Sequence, residues 1–229
     1  MQNQPHTYAQ GLLQTFALHA NPQNAAPMSK YMRNLFEFYG IKTPQRTELT
    51  RNYLKENGLP PVQQLPDVTL ALWQAPQREA QYAAMQILEK MTKRLSPQHL
   101  PMLEQLVTDK SWWDTVDYLA ARIIGRLLLN YPDENATYTQ KWIISPNIWL
   151  QRTAILFQLG YRQKTDTDLL LSCITQCNQS KEFFIQKAIG WALREYSKTN
   201  PQWVLQTVAQ TPLAPLSKRE ALKWLQRKG

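Results

Sequence analysis

Apolar residues recur along this chain at every third or fourth position, which is the spacing of one face of an α-helix. No stretch alternates apolar and polar residues for long enough to predict a strand. The pattern predicts an all-α protein whose helices are joined by short polar turns. We place these helices at 7–20, 44–57, 67–75, 77–94, 97–108, 111–130, 134–143, 146–162, 166–177, 181–198, 201–210 and 215–227.

Prolines mark the beginning of several predicted helices. A Thr, Ser or Asn precedes the proline in Thr43–Pro44, Ser96–Pro97, Ser145–Pro146 and Asn200–Pro201. Proline is tolerated at the first helical position because the N–H it lacks has no partner there. We therefore expect the polar residue of each pair to cap a helix and the proline to begin it.

Four predicted helices align as an internal repeat. The aligned segments within them begin at Glu79, Thr115, Leu150 and Ile185, with the sequences EAQYAAMQILEK, TVDYLAARIIGR, LQRTAILFQLGY and IQKAIGWALREY. Equivalent positions are 35 or 36 residues apart, near the period of HEAT-like helical hairpins. Such hairpins bury their apolar faces against their neighbours, which predicts a curved α-solenoid. We expect one domain over 1–229, with a less distinctive N-terminal helix in 1–27; irregular helical packing remains an alternative.

One column of the repeat is polar, with Gln81, Asp117, Arg152 and Lys187 at equivalent positions. A core does not need these residues, since burying unpaired polar groups is unfavourable. We therefore expect the column to lie on the concave surface, with the Asp117 carboxylate facing outward. In the alternative interpretation, Arg152 is an ordinary surface residue or forms a salt bridge between helices.

Two tryptophans share helix faces with this column. Trp113 comes four residues before Asp117, and Trp191 comes four residues after Lys187. The column and the tryptophans would together combine aromatic planes, a carboxylate and cations. Tryptophans at helical spacing are also typical of a core, and that alternative stays open.

The two aspartates of segment 111–117, SWWDTVD, are expected to have different roles. Ser111 and Asp114 have the spacing of a capping box, whereas Asp117 lies one turn further on, where capping does not require it. Asp117 would be structural if it paired with Arg122 or Arg126 on its own helix, which is the alternative.

Composition and motifs limit the partners and cofactors that this protein is expected to have. The 229 residues include 26 Lys and Arg against 17 Asp and Glu, a net charge of +9 that favours a polyanionic partner. Arg122 and Arg126 interrupt the longest apolar stretch, and no signal peptide is visible, so we expect a cytoplasmic protein without a membrane partner. Cys173 and Cys177 do not form a zinc motif, and phosphate-binding glycine motifs are missing from the sequence. The sequence implies no metal or organic cofactor.

Six segments of the chain are distinctive: YMRN at 31–34, GIKTPQR at 40–46, SWWDTVD at 111–117, RTAILFQL at 152–159, SKEFFIQKAIGWALREY at 180–196 and PLSKREALK at 215–223. They closely resemble the AlkD family of bacterial DNA alkylation-repair glycosylases. The resemblance runs from about residue 28 to the C-terminus and implies a fold of HEAT-like repeats.

The resemblance also implies roles for individual residues. Asp117 matches the catalytic carboxylate, and Trp113 and Trp191 match the aromatic pair that flanks the sugar of the lesion. Arg152 matches the cation that holds a backbone phosphate, and Tyr31 resembles a further residue in contact with DNA.

Basic residues outside these matches are candidates for phosphate contact. We include Lys187, Lys42 and Arg46 among the predicted DNA-binding residues. A solvated charged face is the alternative for each of them.

Together with this resemblance, which implies a glycosylase that releases purines alkylated at N3 or N7 from duplex DNA, as in base excision repair, the sequence predicts a monomeric, monofunctional enzyme. It would associate with the bacterial nucleoid when bound to DNA. A noncatalytic HEAT-like module for damaged or branched DNA is the main alternative, and a scaffold for an acidic protein partner is another.

Overall fold

The computed structural model describes residues 4–227. Within this range the chain is helical, and its only extended pairing is an isolated bridge between Glu37 and Gln77, so the all-α prediction is confirmed. The α-helices are α1 (Pro5–Leu18), α2 (Pro22–Tyr31), α3 (Thr43–Asn57), α4 (Leu65–Gln74), α5 (Arg78–Met91), α6 (Leu100–Thr108), α7 (Trp113–Tyr118), α8 (Gly125–Asn130), α9 (Asn135–Ile143), α10 (Ile148–Leu156), α11 (Thr167–Cys177), α12 (Phe183–Tyr196), α13 (Pro201–Gln210) and α14 (Pro215–Leu222).

Helix α2 is absent from the helices that the pattern predicts. It buries none of its residues and contains Pro27 in its interior. Its N-terminus is fixed by Asn21, whose side chain accepts hydrogen bonds from the backbone N–H groups of Gln23 and Asn24. Capping, rather than an apolar face, defines this helix.

The caps predicted before two prolines are confirmed. Asn200 precedes α13 and accepts a 3.0 Å hydrogen bond from the backbone N–H of Trp203. Ser96 forms a capping box with His99, whose Nδ1 accepts a 3.1 Å hydrogen bond from the Ser96 backbone N–H, and the short 3₁₀ turn Pro97–His99 follows Ser96.

The other two predicted caps are wrong. Pro146 lies before α10, which begins at Ile148 and is capped by the Asn147 side chain. Asn147 competes successfully because its carbonyl oxygen reaches two free N–H groups of the first turn. Helix α3 begins at Thr43 itself, and Lys42 occupies the N-cap without a side-chain bond.

The described chain divides into two compact units, one ending at Leu95 and the next beginning at Ser96. In the first unit α1 packs against α3 and α4, and α5 packs against α3 and α4. In the second, α10 contacts α9, α11 and α12, and α12 contacts α14. The prediction of a single domain stays a prediction.

Contacts in the second unit connect residues about one repeat apart, as expected of stacked helical hairpins. Glu104 on α6 accepts hydrogen bonds from Lys141 at 2.6 Å and from the indole N–H of Trp142 at 2.5 Å, both on α9. The Tyr161 hydroxyl likewise donates to the carbonyl of Gly125 at 2.5 Å. The repeat architecture therefore rests on polar contacts as well as on the apolar core.

The helix that carries Asp117 changes its winding. A π-helical segment, Leu119–Ile124, joins α7 to α8, and π-turns inside helices are uncommon and frequent at functional sites. Gly125 follows it at a close approach to α10, because a Cβ there would lie 2.1 Å from the carbonyl oxygen of Phe157. The missing side chain permits this packing.

Among residues 4–227, no helix combines the length and the apolar character that crossing a bilayer requires.

Replacing Gly125 by alanine is expected to lower the free energy of unfolding by about 3 kcal/mol, because the backbone oxygen that it meets has no alternative rotamer. Gly160→Ala is the matched control, since nothing lies within 4 Å of a Cβ at that position, and its effect is expected to stay within about 0.5 kcal/mol. Urea unfolding measures both, and equal midpoints would contradict the packing described.

Candidate functional site

Asp117 and Arg152, which are 35 residues apart, form a bidentate ion pair between α7 and α10. The Arg152 Nε donates to Asp117 Oδ1 at 2.6 Å, and Nη2 donates to Oδ2 at 2.7 Å. This fork geometry is the strong form of the arginine–carboxylate interaction. The alternative that Asp117 pairs with Arg122 or Arg126 is wrong.

The ion pair is largely withdrawn from solvent. The Asp117 side chain is 13% exposed and that of Arg152 is 5% exposed. The sequence pattern predicts that Asp117 faces outward. In the structure, the neighbouring helix covers much of its side chain and also satisfies its charge. Burial raises the pKa of the Asp117 carboxyl, the Arg152 hydrogen bonds and charge oppose this rise, and the Asp114 charge adds to it.

An aromatic cluster holds the other side of Arg152. Its Nη1 donates to the carbonyl of Phe184, and its guanidinium carbon lies 5.9 Å from the Phe184 ring centre. The Phe184 ring packs 5.0 Å from Trp112 and 4.9 Å from Trp149. Sequence analysis missed these three residues, although Trp149 and Phe184 are 35 residues apart and follow the repeat.

Trp113 is the first residue of α7 and is half-buried, so it keeps the four-residue relation to Asp117 within one helix. The capping box predicted here is wrong. Trp112 occupies the N-cap, and the Ser111 hydroxyl instead donates to the carbonyl of Val107 at 2.7 Å.

Lys187 is engaged between α12 and α14. Its ammonium lies 3.1 Å from Glu220 Oε1, and Glu220 also pairs with Arg194 at 3.2 Å and with Lys223 at 2.5 Å. Burial by itself would raise the pKa of Glu220, but the hydrogen bonds and charges of Lys223 and Lys187 outweigh it and hold the pKa below its usual value. Lys187 keeps 36% of its side chain exposed.

Gln81, the first member of the polar column, is structural. It is fully buried, and its amide donates to the carbonyls of Trp73 at 2.9 Å and Ala75 at 2.8 Å. These acceptors lie at the end of α4, where carbonyls lack helical partners. The column therefore does not form one functional surface.

Three predicted DNA-binding residues lie in the first unit. Tyr31 ends α2 and is 73% exposed. Lys42 is exposed at the N-cap of α3, and the Arg46 guanidinium lies 4.4 Å from the ring centre of Tyr82.

Buried Glu79 fixes the segment that leads to Lys42, a role that sequence analysis missed. Its carboxylate accepts from the backbone N–H groups of Tyr39 at 3.0 Å, Gly40 at 2.9 Å and Ile41 at 3.0 Å. Glu79 stands at the start of a repeat segment as an ordinary helix acid, so only the fold reveals the backbone N–H donors that it binds.

Trp191 lies on α12 at a cleft of about 880 Å³ in the second unit, which we call the Trp191 cleft. The cleft is also lined by α8, by the end of α10 and by the turn after it. Four cationic side chains line it: Arg122, Arg126, Arg162 and Lys198.

Metal-binding groups do not gather in the described part of the chain, where no three His, Cys, Asp or Glu side chains are arranged to hold an ion. Cys173 and Cys177 are both buried, and burial raises their thiol pKa values to about 12 and about 11. Neither is a reactive thiolate near neutral pH.

Comparisons with known proteins agree with the all-helical fold. The family model described as DNA alkylation repair enzyme matches residues 12–225. A predicted DNA alkylation repair enzyme from Enterococcus faecalis is 38% identical, with a TM-score of 0.84 over 90% of this chain and 96% of that one.

A second solved structure shares the fold alone. The protein smu.31 from Streptococcus mutans UA159 is 15% identical, with a TM-score of 0.60 over 88% of this chain and 98% of that one. No curated protein matches the sequence.

Arg152→Met is expected to lower the free energy of unfolding by about 3 kcal/mol at pH 7, because it leaves the Asp117 charge buried without its partner. The double variant Asp117→Leu/Arg152→Met is expected to lose less, since no lone charge remains. Urea unfolding of both variants and the wild type measures this difference.

The loss in Arg152→Met is also expected to depend on pH. Without Arg152 the pKa of Asp117 rises further above that of the unfolded chain, so the folded state takes up a proton more readily. The stability deficit therefore shrinks as the pH falls from 7 towards about 4. A deficit that is constant over this range, or equal in the double variant, would contradict the ion-pair account.

Glu79→Gln is expected to lower the free energy of unfolding by about 3 kcal/mol, because an amide offers one acceptor oxygen and turns a donor towards backbone N–H groups. Amide hydrogen exchange of Gly40 and Ile41 should accelerate in parallel. Glu48→Gln is the control, as its pair with Arg51 is exposed and 3.8 Å long, and a similar loss there would remove the special role of Glu79.

Proposed function

We propose, on the premise that this chain belongs to the DNA alkylation repair enzyme family, that it is a monofunctional glycosylase acting on duplex DNA. The proposed substrates are cationic purines alkylated at N3 or N7. The product would be a free base and an abasic site, which begins base excision repair. The observation that carries the proposal is the carboxylate of Asp117, held bidentately by Arg152 beneath the aromatic cluster.

In the proposed reaction, the main contribution of the protein is electrostatic stabilisation of the transition state. An alkylated purine already carries a positive charge and leaves readily, so little help from a general acid is needed. Cleavage of the glycosidic bond gives the deoxyribose oxocarbenium character, which a nearby carboxylate stabilises. At about 4 Å and an effective dielectric of about 20, such a pair is worth about 4 kcal/mol. This corresponds to roughly a thousandfold in rate.

Burial suits Asp117 to this role. A carboxylate that is 13% exposed acts through a lower dielectric than water does, so its attraction for a developing cation is stronger. Arg152 favours its ionised form and fixes its orientation through two hydrogen bonds. The same carboxylate would orient the attacking water.

Arg152 carries more N–H donors than its hydrogen bonds to Asp117 and Phe184 use. Among residues 4–227, three of its N–H groups donate to Asp117 and Phe184, and a guanidinium has five. We propose that the remaining donors contact a backbone phosphate while the ion pair persists. Trp113 and Trp191 would then contribute cation–π contacts to the charged sugar, and the base would leave without being flipped into a pocket.

The burial of Asp117 equally favours the alternative, a noncatalytic module that binds damaged or branched DNA. In that case the ion pair would serve only to join α7 and α10. The monomeric state and the cytoplasmic location expected from the sequence remain predictions in either case.

Release of free 7-methylguanine or 3-methyladenine from duplex DNA tests the proposal directly. The wild type is expected to release base, and Asp117→Asn is expected to be slower by roughly a thousandfold. After subtraction of spontaneous depurination, the rate should fall with acidification at a pH above the usual carboxyl pKa, because burial raises the pKa of Asp117.

Asp114→Asn is the matched control on the same helix and is expected to keep near wild-type rates. Asparagine at 117 keeps an acceptor for Arg152, and unfolding measurements show whether each variant folds. A folded wild type that binds lesion DNA without releasing base would favour the noncatalytic module, and an equally active Asp117→Asn would remove Asp117 from the mechanism.

A further inference from the structure

The Trp191 cleft is strongly cationic. Of the described residues that line it, Arg122, Arg126, Arg162 and Lys198 carry positive charge and Glu195 is acidic. Nearby, Glu195 Oε2 lies 2.6 Å from the ammonium of Lys198, so the acid and that cation largely neutralise each other. The arginines therefore set the sign of the field in the cleft, and they are exposed to solvent.

Arg162 is held in place by an unusual backbone conformation. Its φ is +54°, in the left-handed region that non-glycine residues seldom adopt. The turn is anchored by Tyr161, whose hydroxyl donates to Gly125 and whose carbonyl accepts from the N–H of Lys164 at 3.0 Å. A strained conformation that its surroundings fix is a feature found at ligand-binding positions.

The remaining walls suit part of a nucleic acid. Trp191 and Tyr196 present aromatic surface, and the volume of about 880 Å³ lies within the range of sites for nucleotide-sized groups. Guanidinium groups recognise phosphate through paired N–H donors. The cleft thus combines the chemistry for phosphate with stacking surface for a sugar or base.

The spacing of the cations favours a chain of phosphates over one small anion. Arg122 and Arg126 are four residues apart, about one helical turn along the axis, and Arg162 extends from a different element. Trp191 lines the cleft and also belongs to the pair predicted to flank the lesion's sugar. A strand that passes Trp191 would carry its next phosphates towards these arginines.

We infer that the Trp191 cleft binds backbone phosphodiesters of the substrate DNA next to the lesion, with Arg122 and Arg162 as principal contacts. This rests on the proposed function for its substrate. It adds a second anchoring point, separate from Arg152, that fixes the strand on the α8 and α12 side of the site.

The test compares the salt dependence of DNA binding in two matched double variants. Arg122→Gln/Arg162→Gln removes two cleft cations, and Lys55→Gln/Lys164→Gln removes two exposed cations that do not line the cleft. Fluorescence anisotropy with a labelled duplex gives the slope of log K against log[KCl]. The cleft variant is expected to reduce the magnitude of this slope by about 2, and the control by less than about 0.5.

Equal slopes in the cleft and control variants would overturn the inference. Circular dichroism and thermal unfolding establish that each variant folds; if the double variant does not, Arg122→Gln alone is expected to reduce the slope by about 1. Inorganic phosphate is added to all proteins as a second probe. Phosphate could stabilise the wild type and the control variant but not the cleft variant, while the DNA slope of the cleft variant stays unchanged. That result would identify a small-anion site and would also overturn the inference.

Base release, measured at saturating protein on the same duplexes, separates this inference from the proposed function. A wild type that binds DNA but releases no base would refute the glycosylase proposal, while the slopes would still decide whether the cleft contacts phosphates. Conversely, active wild type with unaffected slopes in the cleft variant would leave the glycosylase proposal standing and remove the cleft from DNA binding.

Discussion

Withdrawing a carboxylate and a guanidinium from water is unfavourable unless the two are paired and hydrogen-bonded. Asp117 and Arg152 meet this condition only in the observed placement of α7 and α10. Two bonds join the charged groups, and a third ties Arg152 to the backbone of Phe184 on α12. One ion pair therefore fixes three helices of the second unit relative to one another. The position of the Asp117 carboxylate, and so any reaction at it, depends on how these helices pack.

The same burial gives Asp117 properties that a surface acid would lack. Burial raises the pKa of its carboxyl, and the Arg152 charge counters the effect, so ionisation depends on the partner. A charge held in a low dielectric also acts more strongly on a cation that develops nearby. Structural support and the proposed catalysis thus use one interaction, which explains why stability and activity must be measured separately in every variant.

The Trp191 cleft and the ion pair have different roles in the proposed binding of DNA. Arg152 is buried and committed to Asp117, so it can supply orientation but little long-range attraction. The exposed arginines of the cleft are suited to attraction, because they act through solvent and respond to salt. Lys187 lies between these roles, since Glu220 binds it while part of its side chain stays exposed.

Local patterns along the chain determined the helical class and the repeat, because helix formation and hairpin stacking depend on spacings that a sequence displays directly. The repeat also placed Asp117 and Arg152 at equivalent positions, and resemblance to a family gave them roles. Only the tertiary structure decided what each polar side chain does: Gln81 caps a helix end, Glu79 holds a loop, and Asn147 replaces a predicted cap. Partner choice among polar groups depends on which atoms come within about 3 Å, and that distance is a property of the packed helices and not of the spacing along the chain.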